Sequence, residues 1–240
     1  VKAKDGEPEQ VFREGEIHQL PKDKATRLIQ SGNAKEDNSN VMALLESPDF
    51  FQKCVDEVGK KVAGEQNTIK TIGLFAAGRL VENCEASSFN FALNDESGTG
   101  KDYVARNTLA LFVPQKDFVH RTRISPAVLT YLHNSKLEPE WTWNGKLLFL
   151  EDVSDNVLNC EVVKTFLTGG SFATVVIHQR AVDVQINGKP VIGLTFANST
   201  PKNEMLRRLQ LIGMDSSDEQ TARIKTFKKN HYKYYNDVVI

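Results

Sequence analysis

An α/β fold, a largely parallel sheet covered by helices, is what this sequence predicts, and three observations carry the prediction. Short apolar runs at Phe89–Leu93, Phe118–His120, Lys146–Leu150 and Val191–Ala197 alternate with stretches of helical spacing, the rhythm of strands joined by crossover helices. A glycine-rich octapeptide, Asp95-Glu96-Ser97-Gly98-Thr99-Gly100-Lys101-Asp102, lies between the first run and a helical stretch from Tyr103 to Leu111. The third run ends in two adjacent acids, Glu151 and Asp152.

A chain of 240 residues can bury one sizeable core and carry a small appendage. Thirty Lys and Arg stand against 31 Asp and Glu, a net charge of −1, so no global charge points to nucleic acid or to a membrane surface. The apolar runs fall far short of the ~20 residues that cross a bilayer. No membrane partner is expected, and the expected compartment is the cytoplasm, that of the host cell if a phage or virus encodes the chain. Cys54, Cys84 and Cys160 are odd in number and without paired spacing, which suits a reducing compartment and three buried free thiols. The chain starts at Val1, and an excised fragment is the expectation.

Along the chain, residues 1–36 predict a small β-hairpin and helix. Val11-Phe12 and Ile17-His18-Gln19-Leu20 flank a turn at Gly15, and Pro21 precedes a helix over Lys22–Gln30. Residues 37–47 open on a polar run and read as a linker. The main domain is expected over 48–240. Its helical lead-in, 48–86, places Phe50, Val55, Val58, Val62, Ile69, Ile72, Phe75 and Leu80 at amphipathic spacing. The core follows over 87–214 and a C-terminal helix over 216–240.

The octapeptide reads as a phosphate-binding loop. Gly98 and Gly100 permit a tight turn whose N–H groups point inward, the next helix adds its positive end, and Lys101 can reach the β- and γ-phosphates. Glu96, Ser97, Gly98, Thr99, Gly100, Lys101 and Asp102 are the expected nucleotide contacts. Two positions depart from the usual pattern: Asp95 replaces the first glycine, and Asp102 replaces the hydroxyl residue that ligates magnesium. Asp102 can bind the metal through its carboxylate, yet repels a nucleotide with no metal between them. The bland alternative is a Gly-rich turn without a ligand.

Fifty residues on, Glu151 and Asp152 close a buried strand, as the second motif of a phosphate-binding sheet requires. Glu151 is expected to organise magnesium and Asp152 to polarise the attacking water; two acids capping a strand are the competing reading. Asn198 ends the apolar run from Val191 and can orient that water, although it equally begins the turn Asn198-Ser199-Thr200-Pro201. Arg207 and Arg208 follow. Either can serve as an arginine finger on a neighbouring subunit, and at least one is expected on a solvated helix face.

The order of loop, Glu-Asp strand end, hairpin, Asn-terminated strand and Arg pair over Phe89 to Leu209 resembles the AAA+ ATPases, especially the superfamily-three helicases of DNA viruses. Phe149-Leu150-Glu151-Asp152-Val153 is similar to the second phosphate motif of polyomavirus and papillomavirus replication initiators. Arg207 to Thr221 also resembles phage and mobile-element replicative helicases, which often carry a primase. The resemblance implies an AAA+-like P-loop ATPase fold with a β-hairpin before the sensor strand, ATP and Mg2+ as cofactors, a ring of identical subunits, six by analogy, and single-stranded DNA in its channel. A primase or other replication factor is an implied partner. The implied hairpin has arms Ala173–Ile177 and Ala181–Ile186, with His178, Gln179 and Arg180 at its tip, where the family's Lys-His pair is not reproduced. Asn187-Gly188 is itself a strong turn signal, and a rival register puts Lys189 at the exposed tip. Phe227 to Tyr235 interleaves basic and aromatic residues, as stacking surfaces for single strands do, but Ile224, Phe227, His231 and Tyr234 also fall at helical core spacing.

Two functions from different classes follow. One is an ATP-dependent DNA helicase or translocase. The other is a nucleotide-gated, weakly hydrolysing assembly or loading module for replication, motivated by Asp95 and Asp102. A small-molecule kinase is the third reading and leaves the hairpin unexplained.

Overall fold

The architecture is that of a computed structural model, which describes residues 22–30, 39–82, 89–95, 98–122, 124–125, 140–160, 163–164, 167–168, 172–177, 179–185, 187–196 and 201–237. The chain divides into two compact units, Val1–Phe51 and Gln52–Ile240.

In the first unit, α1 spans Lys22–Gln30, as the sequence predicts, and α2 spans Ser39–Leu45. The expected hairpin around Gly15 lies outside the described residues. Helix α2 corrects the reading of 37–47 as a plain linker: Val41-Met42-Ala43-Leu44-Leu45 coils into a helix whose large apolar side chains stay about half exposed, at 44–51%.

Helix α3 (Phe50–Gly59) enters the second unit at Gln52 and is followed there by α4 (Gln66–Ala77); their Val55, Val58, Ile69, Ile72 and Ala76 are buried. Five parallel strands follow: β1 (Phe91–Asn94), β2 (Phe118–Arg121), β3 (Leu147–Leu150), β6 (Val191–Phe196) and β7 (Gln210–Ile212). Between β3 and β6 the antiparallel pair β4 (Phe172–Ile177) and β5 (Arg180–Gln185) forms a separate two-stranded sheet. Helix α5 (Lys101–Phe112) links β1 to β2; α6 (Asp155–Leu158) follows β3; α7 (Asn203–Leu206) links β6 to β7; and α8 (Asp218–Asp237) ends the chain.

The strand order is β2-β3-β6-β1-β7. All residues of β3 and β6 are buried, because helices cover both faces of a parallel sheet. That burial makes them continuous apolar runs in the sequence. Side chains alternate between the faces. Ala92, Leu148, Leu150, Ile192, Leu194 and Phe196 join Trp143, Leu158, Met205 and Leu209 in one core. The opposite parity holds Phe91, Phe149, Gly193 and Thr195, and there the Phe91 ring stacks on Phe75 of α4 at 5.9 Å.

Gly193 sits in register between Phe91 and Phe149. A Cβ there would lie 2.5 Å from Phe91 Cζ, so the central strand needs glycine to admit two phenyl rings side by side. Gly193→Ala is expected to cost about 1–3 kcal/mol by overpacking, read as a lowered midpoint in urea denaturation.

Asn90, 1% exposed, staples the start of the sheet. Its Oδ1 accepts from Ile192 N–H at 2.9 Å, its Nδ2 donates to Leu167 O at 3.0 Å, and its carbonyl accepts from Gln210 N–H at 2.9 Å. At the same edge Lys146 Nζ meets Asp117 Oδ1 at 2.7 Å, and that hydrogen bond holds the Asp117 carboxyl below the usual carboxylate range.

Two expectations need correction. Cys54 and Cys160 are free but only partly buried: Cys54 lies on α3 beside the buried Val55, and Cys160, just past α6, packs against the edge of the core; Cys84 is outside the described residues. Strand β7 was not among the expected runs. Among the described residues, no helix is long and apolar enough to cross a membrane.

Candidate functional site

The carboxyl ends of β1, β3 and β6 share one edge of the sheet, since the three strands are parallel neighbours. In open parallel sheets this carboxyl edge is where ligands bind.

The glycine-rich loop leaves β1 here. Gly98 (φ 92°) and Gly100 (φ 87°) are both left-handed, and a Cβ at either would meet nothing within 4 Å. Backbone conformation therefore demands glycine, and the space beside both residues stays open. Gly100 caps α5, accepting from Val104 N–H at 3.0 Å. The first-turn N–H groups of this 12-residue helix have no acceptor within it. Lys101 opens the helix at 4% exposure, and Asp102 is part-buried. Thr99 is described; Glu96 and Ser97 are not.

Thr195 of β6, fully buried, joins the other two motifs. Its hydroxyl donates to Asp102 Oδ1, and its Oγ1 accepts the Asp152 N–H at 3.0 Å. Its carbonyl also accepts from Val153 N–H at 2.8 Å. These bonds grip the turn after β3 on both sides of Asp152, whose left-handed φ of 48° is uncommon outside glycine and costs energy unless held. The Asp152 side chain is exposed.

Glu151 points into a different setting. Its Oε1 lies 3.0 Å from both Arg106 Nε and His120 Nε2, with its side chain 10% exposed. Neither contact has hydrogen-bond alignment, so the Arg106 contact acts through charge alone. Arg106, one turn beyond Asp102 on α5, also approaches the Asp102 carbonyl at 3.4 Å. The His120 ring stacks on Phe118 at 5.9 Å and on Phe149, its neighbour in register, at 5.7 Å. A cleft of about 290 Å³ opens beside these groups, lined by Arg121, Ile124, Glu151, Asp152, Ser154 and Val157 among others.

Lys101, Asp102, Glu151 and Asp152 thus converge on one edge. Asn198 lies outside the described residues. Arg207 is exposed. Arg208 is engaged locally, its Nη1 2.9 Å from Glu204 Oε1 while Lys164 Nζ sits 3.1 Å from Oε2; Arg208 first, then Lys164, holds the Glu204 carboxyl below its usual range. The β4–β5 hairpin turns between Ile177 and Arg180, which pair with each other, so Arg180 begins β5 and is not part of a three-residue tip; Gln179 has φ 63°, and Gln179 and Arg180 are exposed. His178 is not described. The rival register fails, because Lys189 follows a separate turn at Gly188 (φ 79°) and donates its N–H to Asn144 Oδ1 at 3.1 Å. The basic-aromatic stretch lies in α8, where Phe227 and His231 stack at 6.0 Å.

Sequence reasoning missed Thr195, Arg106 and His120. Thr195 had one signal, a hydroxyl inside an otherwise apolar strand. Arg106 stands four residues after Asp102 and His120 ends an apolar run, but neither position reveals its partner.

The donor set fits magnesium. Asp102 and Glu151 are hard oxygen donors, and among the described residues no group of three or more His, Cys, Asp or Glu forms a self-sufficient metal site. Magnesium is characteristically held by one or two carboxylates completed by phosphate and water.

The parallel order, the left-handed glycine loop and the acid-tipped neighbouring strand define an α/β P-loop protein. The profile of a family described as the MTBMA_p00010 P-loop domain matches residues 35–236, and the chain belongs to that family. Comparison with curated proteins gives no match.

Proposed function

We propose that this P-loop domain binds ATP with magnesium and works as an ATP-dependent DNA helicase or translocase of the replicative type, in a ring of identical subunits. The observation that carries the reading is the convergence of Lys101, Asp102 and Glu151-Asp152 on three adjacent strand ends, tied through Thr195.

The open backbone at Gly98 and Gly100 and the first turn of α5 cradle the phosphates. Lys101 neutralises the β- and γ-phosphates. Asp102 and Glu151 hold magnesium, which supplies charge neutralisation on the transferring phosphoryl group. Asp152, exposed beside Glu151, orients the attacking water and takes its proton. Asn198 senses the γ-phosphate. Arg207, exposed, reaches a neighbour's nucleotide more readily than Arg208, which Glu204 holds. Gln179 at the hairpin turn and Arg180 beside it, with His178, meet the DNA backbone.

A second reading has support of its own. Glu151 is already engaged by Arg106 and His120, and Asp102 by Thr195, as befits a slow, nucleotide-gated assembly module. One assay separates the two: ATP hydrolysis with and without single-stranded DNA, on wild type, Arg180→Ala and Asp102→Ser. The motor reading expects stimulation by DNA that Arg180→Ala weakens several-fold. Hydrolysis at background, unmoved by DNA and raised by Asp102→Ser, supports the gated module instead.

A further inference from the structure

We infer that Thr195 is a positioning residue for the metal: its side chain fixes the Asp102 carboxylate and the Glu151-Asp152 turn in one arrangement, supplying from β6 the hydroxyl that the phosphate loop lacks at position 102. The inference rests on the nucleotide-binding reading and deepens it.

Position 102 ordinarily carries a small hydroxyl on magnesium. An aspartate there is longer, and a carboxylate on an unfixed side chain samples several rotamers, most of which aim its oxygens away from a metal beside the loop. The Thr195 hydroxyl donates to Oδ1. That bond leaves Oδ2 and the remaining lone pairs of Oδ1 for a cation, and an ionised acceptor makes it a strong bond.

The same oxygen has a second duty. Oγ1 accepts the Asp152 N–H at 3.0 Å, so its hydrogen is directed away from Asp152 and toward Asp102. The hydrogen bonds run one way, from the Asp152 amide through Thr195 to the Asp102 carboxylate. Thr195 is 0% exposed; water cannot replace its hydroxyl without a cavity. Its β-branched side chain in a central strand has few rotamers, so the hydroxyl is itself fixed. Outer partners of this kind orient metal-binding carboxylates, and their loss commonly weakens metal affinity by about 10–100-fold.

The test titrates Mn2+, a paramagnetic stand-in for magnesium, into the full chain with a non-hydrolysable ATP analogue, followed by electron paramagnetic resonance. Fluorescent nucleotide binding in EDTA is measured alongside. Thr195→Val is expected to weaken Mn2+ binding at least about tenfold, with metal-free nucleotide binding nearly unchanged; Thr195→Ser restores Mn2+ binding. In an Asp102→Ser background, Thr195→Val has a clearly smaller effect, because only the Glu151-Asp152 turn remains for it to hold, whereas a merely structural role produces equal losses in both backgrounds. Should the valine variant melt below the assay temperature, Thr195→Cys, which keeps the volume with a weaker donor, takes its place in both backgrounds. Wild-type Mn2+ affinity in the Thr195 variant, or equal losses in the two backgrounds, overturns this inference alone. A wild-type chain that binds no nucleotide overturns both it and the reading beneath it.

Discussion

Lys101→Ala is expected to lower ATP turnover by at least about a hundredfold, the scale on which removing one preorganised charge-stabilising donor acts. Lys101 opens α5 and is 4% exposed, so its side chain lies within the fold rather than waving in solvent. Alanine removes the charge proposed to meet the β- and γ-phosphates, while the nearby acids Asp102 and Glu151 remain. Nucleotide affinity therefore falls together with turnover. Fluorescent ATP analogue binding and phosphate release, measured on the same preparation, check both. A variant that hydrolyses ATP at the wild-type rate removes Lys101 from the site.

Asp152→Asn is expected to separate binding from chemistry. Its side chain is exposed and lies next to Glu151, while its backbone is fixed by Thr195 through bonds of 3.0 Å to Asp152 N–H and 2.8 Å to Val153 N–H. Asparagine tolerates left-handed φ as well as aspartate does, so the turn survives. What disappears is the carboxylate proposed to take a proton from water, and general-base losses run to about 10²–10⁴-fold. Hydrolysis should fall by that order with nucleotide affinity kept within a few-fold. If affinity collapses instead, Asp152 is a metal ligand and the roles of Glu151 and Asp152 are exchanged.

Strands β3 and β6 were legible because burial on both faces leaves them almost wholly apolar: Leu147–Leu150 and Val191–Phe196 are buried throughout, with Thr195 the one polar residue. The loop was legible because left-handed backbone at Gly98 and Gly100 forces glycine into the sequence. Strand β7 was not. It has three residues, two of them exposed, at the sheet edge, too short to show a period. Helix α2 was hidden by the polar run before it.

The site divides the same way. The glycine-rich pattern and the two acids closing an apolar run marked Lys101, Asp102, Glu151 and Asp152. The contacts of Thr195 with Asp102, 93 residues away in sequence, and of Arg106 and His120 with Glu151 depend on which strands become neighbours. No local pattern encodes that. Arg208 is the exception: its pairing with Glu204 at i,i+4 follows ordinary helix spacing, and it distinguishes the two arginines that the sequence left equivalent.

Nucleotide binding at the common edge of β1, β6 and β3 is the central claim, and a crystal structure of the chain with magnesium and a non-hydrolysable ATP analogue tests it most directly. The expected density places the β- and γ-phosphates against the backbone of Gly98 to Lys101, with the metal contacting Asp102 or Glu151. Phosphates bound elsewhere on the molecule, or an empty loop at saturating analogue, would contradict it.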